Sequence, residues 1–198
     1  KTSKNSLISY ICWNSNLMTH EQILADLKAK KYTTTYFLAG EETFYIDLIC
    51  DYIEKNVLSE SEKGFNQTVL YGRDVEITSL LASAKQFPMM AENTVIIVKE
   101  AQDLKKIDLL KSYVEQPLES TLLVLCYRGK KLDKRKALYK SVQKKGIYFE
   151  SNKLYENKIP DWIKGYLRSK DYSISSKSAA MLTDFLGNDL SKISGELN

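Results

Sequence analysis

Histidine occurs once in these 198 residues, at position 20, and cysteine three times, at 12, 50 and 126. One histidine excludes zinc sites built from several imidazoles and leaves little scope for histidine-based acid–base catalysis. Three widely spaced cysteines give neither a metal spacing nor a disulfide framework, which points to a reducing cytoplasm. No apolar run approaches the roughly 20 residues of a membrane-crossing helix, so no membrane partner is expected. The run SLISYIC is too short for a signal peptide, and no small-residue cleavage site follows it. Residues 1–17 therefore read as a tail or a miscalled start, with Met18 as the natural initiator. Internal repeats and low-complexity segments are also absent. The net charge of +4 is too small to imply a nucleic-acid ligand by itself.

What is present is a regular alternation of strand and helix patterns in a chain of ordinary globular composition, 43% hydrophobic and 27% charged. A short amphipathic helix is predicted over 19–30, with Ile23, Leu24 and Leu27 on one face. TYFLAG, 35–40, reads as a strand ending in glycine. A helix follows from 43 to 57, with the stripe Tyr45, Ile49, Tyr52, Ile53. SESE, 59–62, fits a capping box for a short helical turn, and QTVLYG, 67–72, a second strand. Residues 77–87 are predicted helical, with Leu80, Leu81 and Ala84 inward. NTVIIVK (93–99), STLLVLCY (120–127) and GIYFES (146–151) complete five strands. Helices are expected over 105–115, ending before Pro117, and over 133–145, capped by Asp133. Apolar strands without alternation are those covered on both faces, so the prediction is a mainly parallel five-stranded sheet flanked by helices.

After residue 152 the strands stop. Ile159, Trp162, Ile163, Tyr166 and Leu167 follow helical spacing, with Pro160 tolerated in the first turn. Ser175 can cap a helix ending at Gly187, and NDLSKISGEL begins another with Leu190, Ile193 and Leu197 on one face. The expected organisation is an α/β domain over 18–152 and a small helical domain over 153–198. The final GELN falls inside a helical pattern, which suggests a longer parent chain.

A strand, glycine turn and helix in series is the setting of phosphate-binding loops. A working loop needs G-x-x-x-x-G-K-[ST], but Gly40 is followed by Glu41 and Glu42, without the second glycine or the lysine. Two carboxylates repel a triphosphate, and acidic residues also complement a helix N-terminus. The third strand ends in Val98, Lys99, Glu100, a poor source of a magnesium carboxylate. No metal site and no cofactor are expected. Residues 128–145 hold nine Lys or Arg and one acid, Asp133; Lys130, Lys131, Lys134 and Arg135 are candidate DNA or partner contacts, or simply a solvated face above Leu138, Tyr139 and Val142. Ahead of the third strand, QFPMMAEN places Phe87, Pro88, Met89 and Met90 where a polar turn is usual. Residues alone leave open whether they are core or a surface for a partner. Phe87 is the one expected to pack inward most readily.

Several stretches in order, YFLAGEETFYID, FNQTVLYG, QFPMMAENTVIIVKEAQDLKK, STLLVLCYRGKKLDKRKALYK, IPDWIKGYLRSKDYSIS and LGNDLSKISGEL, together resemble the delta subunits of the bacterial DNA polymerase III clamp loader, from about residue 19 onward. The resemblance implies an AAA+-like α/β domain, a helical lid and a C-terminal collar lying beyond Asn198. It implies a subunit of the polymerase holoenzyme without catalysis of its own, whose loop at Gly40 is degenerate. It also implies a role for the opening turn. Delta subunits bind the ring-shaped sliding clamp through a few apolar side chains ahead of the third strand, which weakens one ring interface. On that analogy Met89 and Met90 are the plug, replacing the family's common leucine–phenylalanine pair, with Phe87 and Pro88 shaping the turn. Implied partners are the sliding clamp, the gamma/tau and delta-prime subunits, mainly through the collar, and primed DNA within the complex; a fragment without the collar is expected to be monomeric. An active P-loop-type NTPase and a basic nucleic-acid-binding module remain the rival readings.

Overall fold

The computed structural model describes residues 18–198, so the expectations for residues 1–17 lie outside it. Five strands form one parallel sheet: β1 Thr35–Gly40, β2 Gln67–Tyr71, β3 Thr94–Lys99, β4 Thr121–Arg128 and β5 Ile147–Ser151, in the order β2-β3-β4-β1-β5. β1 is buried along its whole length, and the middles of β3 and β4 likewise. The two-residue pleat sends alternate side chains to opposite faces. Phe37, Ile96, Val98, Leu123 and Leu125 face one core. Tyr36, Leu38, Val95, Ile97, Val124 and Cys126 face the other. Continuous apolar runs are thus the consequence of two covered faces.

The second face is covered by α1 His20–Lys28 and α2 Thr43–Asn56, through Ile23, Leu27, Ile46, Ile49, Cys50 and Ile53. The stripe predicted for α2 is therefore rotated: Ile46 and Cys50 are buried, while Tyr45 and Tyr52 flank the core. α3 Glu60–Asn66 opens with the Ser59 N–H donating to the Glu62 carboxylate at 2.8 Å, the reciprocal arm of a capping box. The first face is covered by α4 Ile77–Ala84, α5 Leu110–Glu115 and α6 Ala137–Lys145.

Three predicted helices begin or end elsewhere. α4 stops at Ala84 instead of 87: Lys85 and Gln86 close tighter turns onto the Ala82 and Ser83 carbonyls, and Phe87, which precedes Pro88, disfavours helical backbone. The segment expected as a helix from 105 contains a 3₁₀ turn at Ile107–Leu109 before α5, entered through Lys106 in the left-handed region. α6 begins after Lys136, not at Asp133. The Asp133 carboxylate instead accepts the Arg135 N–H at 2.9 Å, closing a local turn that competes with helix.

α7 Ile159–Arg168, α8 Ser176–Leu186 and α9 Leu190–Glu196 build a third core from Ile159, Ile163, Leu167, Ala179, Leu186, Leu190 and Ile193. Ser175 and Asp189 cap α8 and α9 through the N–H groups of Ser178 and Lys192. Phe44 and Tyr45 of α2 pack against this core, and the Trp162 indole N–H donates to the Tyr45 hydroxyl at 2.7 Å. Among the described residues, no helix is long and apolar enough to cross a membrane.

Candidate functional site

Residues 85–93 carry the chain from α4 to β3 as a turn held at two points. At its start, the buried Tyr113 hydroxyl donates to the Ala84 carbonyl at 3.2 Å. In its middle, Asn66 satisfies both backbone groups of Met89. Its Oδ1 accepts the Met89 N–H at 2.7 Å, and its Nδ2 donates to the Met89 carbonyl at 2.9 Å. Asn66 is the last residue of α3, is 2% exposed, and shares its Nδ2 with the Glu62 carbonyl at 3.1 Å. It gives Met89 the pair of bonds that an adjacent strand would supply.

The backbone is tied down, and the side chains are not. Phe87 is 77% exposed, Met89 62% and Met90 100%, while Pro88 is half-buried. The expectation that Phe87 packs inward is overturned. The space beneath α4 is already filled by Ile77, Leu80, Ala84 and Tyr113, and Phe87 lies beyond the helix end. Met90 has φ of 55°, a left-handed conformation that costs a non-glycine residue roughly 1–2 kcal/mol. A side chain fully in water recovers none of that by packing. Phe65, next to Asn66, is also 76% exposed. Neither Phe65 nor Asn66 emerged from the sequence. A phenylalanine on the otherwise polar ESEKGFN was a usable signal, whereas nothing in the pattern marks Asn66.

The glycine turn packs against β5. A Cβ at Gly40, whose φ is 141°, would lie 1.9 Å from the Ser151 carbonyl oxygen, so glycine is required there by the neighbouring strand. Glu42 is buried, and its Oε1 accepts the Phe44 N–H at 3.0 Å at the start of α2. Burial raises the Glu42 pKa above the usual carboxylate range against that hydrogen bond. Its carboxylate thus sits where a bound phosphate would meet the helix N-terminus. Glu41 is exposed, in an open cleft also lined by Asn152, Lys153, Tyr155, Glu156 and Asn188. That cleft thus presents two carboxylates and one lysine.

The strand ends beside it are internally paired. Arg128 at the end of β4 binds the Asp47 carboxylate of α2, whose pKa burial raises even beside the guanidinium. Lys99 at the end of β3 lies 3.1 Å from a Glu54 oxygen. Cys50, Asp51 and Glu54 bring three metal-binding atoms within 4.8 Å of one another on α2. Lys99 already supplies the positive charge there. The buried Cys126 thiol, facing Cys50, is pushed well above its ordinary value.

The basic segment is paired in part, whereas Lys140, Lys144 and Lys145 are exposed and have no ion pair among the described residues. Lys131 and Lys134 converge on Glu150, at 2.9 and 3.3 Å. Arg135 forks onto Asp133 through Nε at 3.1 Å and Nη2 at 2.9 Å. Lys130 is exposed and has no ion pair among the described residues. Lys130, Lys131, Lys134 and Arg135 all precede α6 and do not form a helical face.

The family model for the DNA polymerase III delta subunit matches residues 36–152. A curated relative, DNA polymerase III subunit delta of Bacillus subtilis, is 28% identical over 181 residues, covering 86% of this chain and 52% of its own. The solved Bacillus subtilis DNA clamp loader delta protein (YqeN) superposes with a TM-score of 0.75 at 26% identity, over 90% of this chain and 56% of its own. A Thermotoga maritima RuvB Holliday junction branch migration motor aligns at 17% identity with a TM-score of 0.47, over 86% of this chain and 55% of its own. The chain spans about half the length of the delta relatives it matches.

Proposed function

This chain belongs to the DNA polymerase III delta-subunit family, and from that premise we propose that its Met89–Met90 turn binds the sliding clamp and favours the clamp's open ring. One observation carries the reading: at a turn whose backbone is anchored to Asn66, the side chains at 87, 89 and 90 all face water. Anchored backbone and free apolar side chains are what a preformed plug for an apolar pocket requires. Methionine, flexible and polarizable, suits such a pocket.

Opening is a matter of differential binding. Burying two methionine side chains is worth about 3–6 kcal/mol. Shifting a two-state equilibrium from 1:99 to 99:1 needs about 5.5 kcal/mol of preference for one state. The methionine pair thus reaches the required range only at its upper end, and Phe87 and Phe65 are suited to supply the remainder.

The same reading makes the chain a non-catalytic partner, with Gly40, Glu41 and Glu42 binding no nucleotide because the Glu42 carboxylate holds the helix N-terminus. ATP is then used by other clamp-loader subunits, gamma/tau and delta prime, engaged mainly through a collar domain. Residues 18–152 act as the clamp-binding α/β domain and 153–198 as the lid, in the cytoplasm. Among Lys130, Lys131, Lys134 and Arg135, any DNA contact within the assembly falls first to Lys130, the one of the four without an ion pair among the described residues.

Retention on the immobilised sliding clamp of the same organism tests the proposal. Wild type should be held, and Met89→Ser/Met90→Ser should be released with its circular dichroism unchanged. Equal retention of the two proteins would remove the plug.

A further inference from the structure

We infer that Asn66 is a positioning residue for clamp binding, one that never touches the clamp and acts by holding the Met89–Met90 turn in its binding shape. The inference rests on the reading of that turn as the clamp-binding element.

The turn has little else to hold it. Phe87, Met89 and Met90 leave most of their side-chain surface in water, and Met90 adopts a left-handed conformation that an unrestrained methionine would leave. Tyr113 fixes the chain at Ala84, five residues before Met89. The hydrogen bonds at 2.7 and 2.9 Å from Asn66 are the ones that reach the methionine itself. Asn66 can make them because it is almost fully buried at the junction of α3 and β2, and β2 pairs with β3 directly beyond the turn. One planar amide supplies an acceptor and a donor in the spacing of a peptide group. Aspartate keeps the acceptor and loses the donor, and alanine loses both.

A preformed turn binds more tightly because its ordering is not charged to association. Removing Asn66 should therefore weaken binding while the apolar side chains remain in place. Asn66→Ala is expected to bind the clamp about tenfold more weakly, and Asn66→Asp no better than alanine, because it sets a buried carboxylate against the Met89 and Glu62 carbonyls.

The experiment measures clamp affinity by surface plasmon resonance, Met89 amide exchange by NMR and the thermal midpoint, for wild type, Asn66→Ala, Asn66→Asp and Met89→Ser/Met90→Ser. The expected result is a protected Met89 amide in wild type, and affinity that falls with that protection in both Asn66 variants while β3 amides stay protected. Affinity unchanged by either Asn66 substitution, or tracking the thermal midpoint instead of Met89 protection, overturns the inference. If Asn66→Ala does not fold, the uncharged Asn66→Ser carries the comparison. An unprotected Met89 amide in wild type overturns the inference without any variant. Failure of the clamp reading looks different: the wild type does not bind, or the double serine variant binds as well as wild type.

Discussion

The Glu42 carboxylate accepts the Phe44 N–H from inside the protein, at the N-terminus of the helix that follows the β1 glycine turn. Burial dominates its titration and raises its pKa. A carboxyl with a raised folded-state pKa binds its proton more readily in the folded chain than in the unfolded one. Its contribution to stability therefore grows as pH falls through that pKa and is least favourable at neutral pH. Glu42→Gln keeps an oxygen for Phe44 without the charge. It should unfold at a higher temperature than wild type at pH 7, by a few degrees for about 1 kcal/mol. The advantage should shrink on acidification. A titration of either protein with labelled ATP should show no saturable binding.

Met90 yields a second expectation, because its backbone and side chain make separable demands. Met90→Gly removes the left-handed penalty but increases the freedom of the unfolded chain, so the two effects partly cancel. Stability should be unchanged or higher by up to about 1 kcal/mol. Clamp retention should nevertheless fall, since the fully exposed thioether is gone. Denaturant unfolding alongside retention checks both. A variant that is more stable and still fully retained would mean that the Met90 side chain is not part of the surface.

How much of this was legible beforehand depended on the range of the physics involved. β1, β3 and β4 announced themselves as unbroken apolar runs, and α7 as a stripe, because strand and helix periods are local. The rotation of α2 was not legible, since tyrosine and isoleucine are both apolar enough to face a core and only packing put Ile46 and Cys50 inside. The late starts of α5 and α6 follow from single residues, Lys106 in a left-handed conformation and Asp133 bonded to Arg135. The suspect turn was visible as four apolar residues in an unusual place. That its side chains face water, and that Asn66 holds it across 23 residues of sequence, are tertiary facts no local pattern carries.

Glu150 gives a pH dependence of the opposite sign. Burial alone would raise its pKa, but the hydrogen bonds and charges of Lys131 and Lys134 outweigh that and lower it. A carboxyl with a depressed folded-state pKa lends stability above its unfolded pKa, which is lost as pH falls through the folded value. Wild type should therefore lose thermal stability on acidification in the carboxylate range, and Glu150→Gln should start lower at pH 7 and lose less. The same variant frees two lysines beside Lys130. If internal pairing is what mutes this segment, single-stranded DNA should bind Glu150→Gln more tightly than wild type, with a steeper dependence on salt.

The last expectation concerns the junction between the sheet and α7–α9. Trp162 meets α2 through its hydrogen bond to Tyr45 and an edge contact with Phe44, whose ring centroid is 5.4 Å away. Tyr45→Phe keeps the ring and removes the acceptor, leaving the indole N–H without its protein partner. A half-buried donor stranded in this way costs about 1–3 kcal/mol. If residues 153–198 form a lid that unfolds separately from the α/β domain, the cost falls on the lid alone. Amides of α7 to α9 should then exchange faster in Tyr45→Phe, while those of β1, β3 and β4 exchange as in wild type. Equal acceleration everywhere would mean that the three cores melt as one cooperative unit, and the proposed division at residue 152 would have no thermodynamic content.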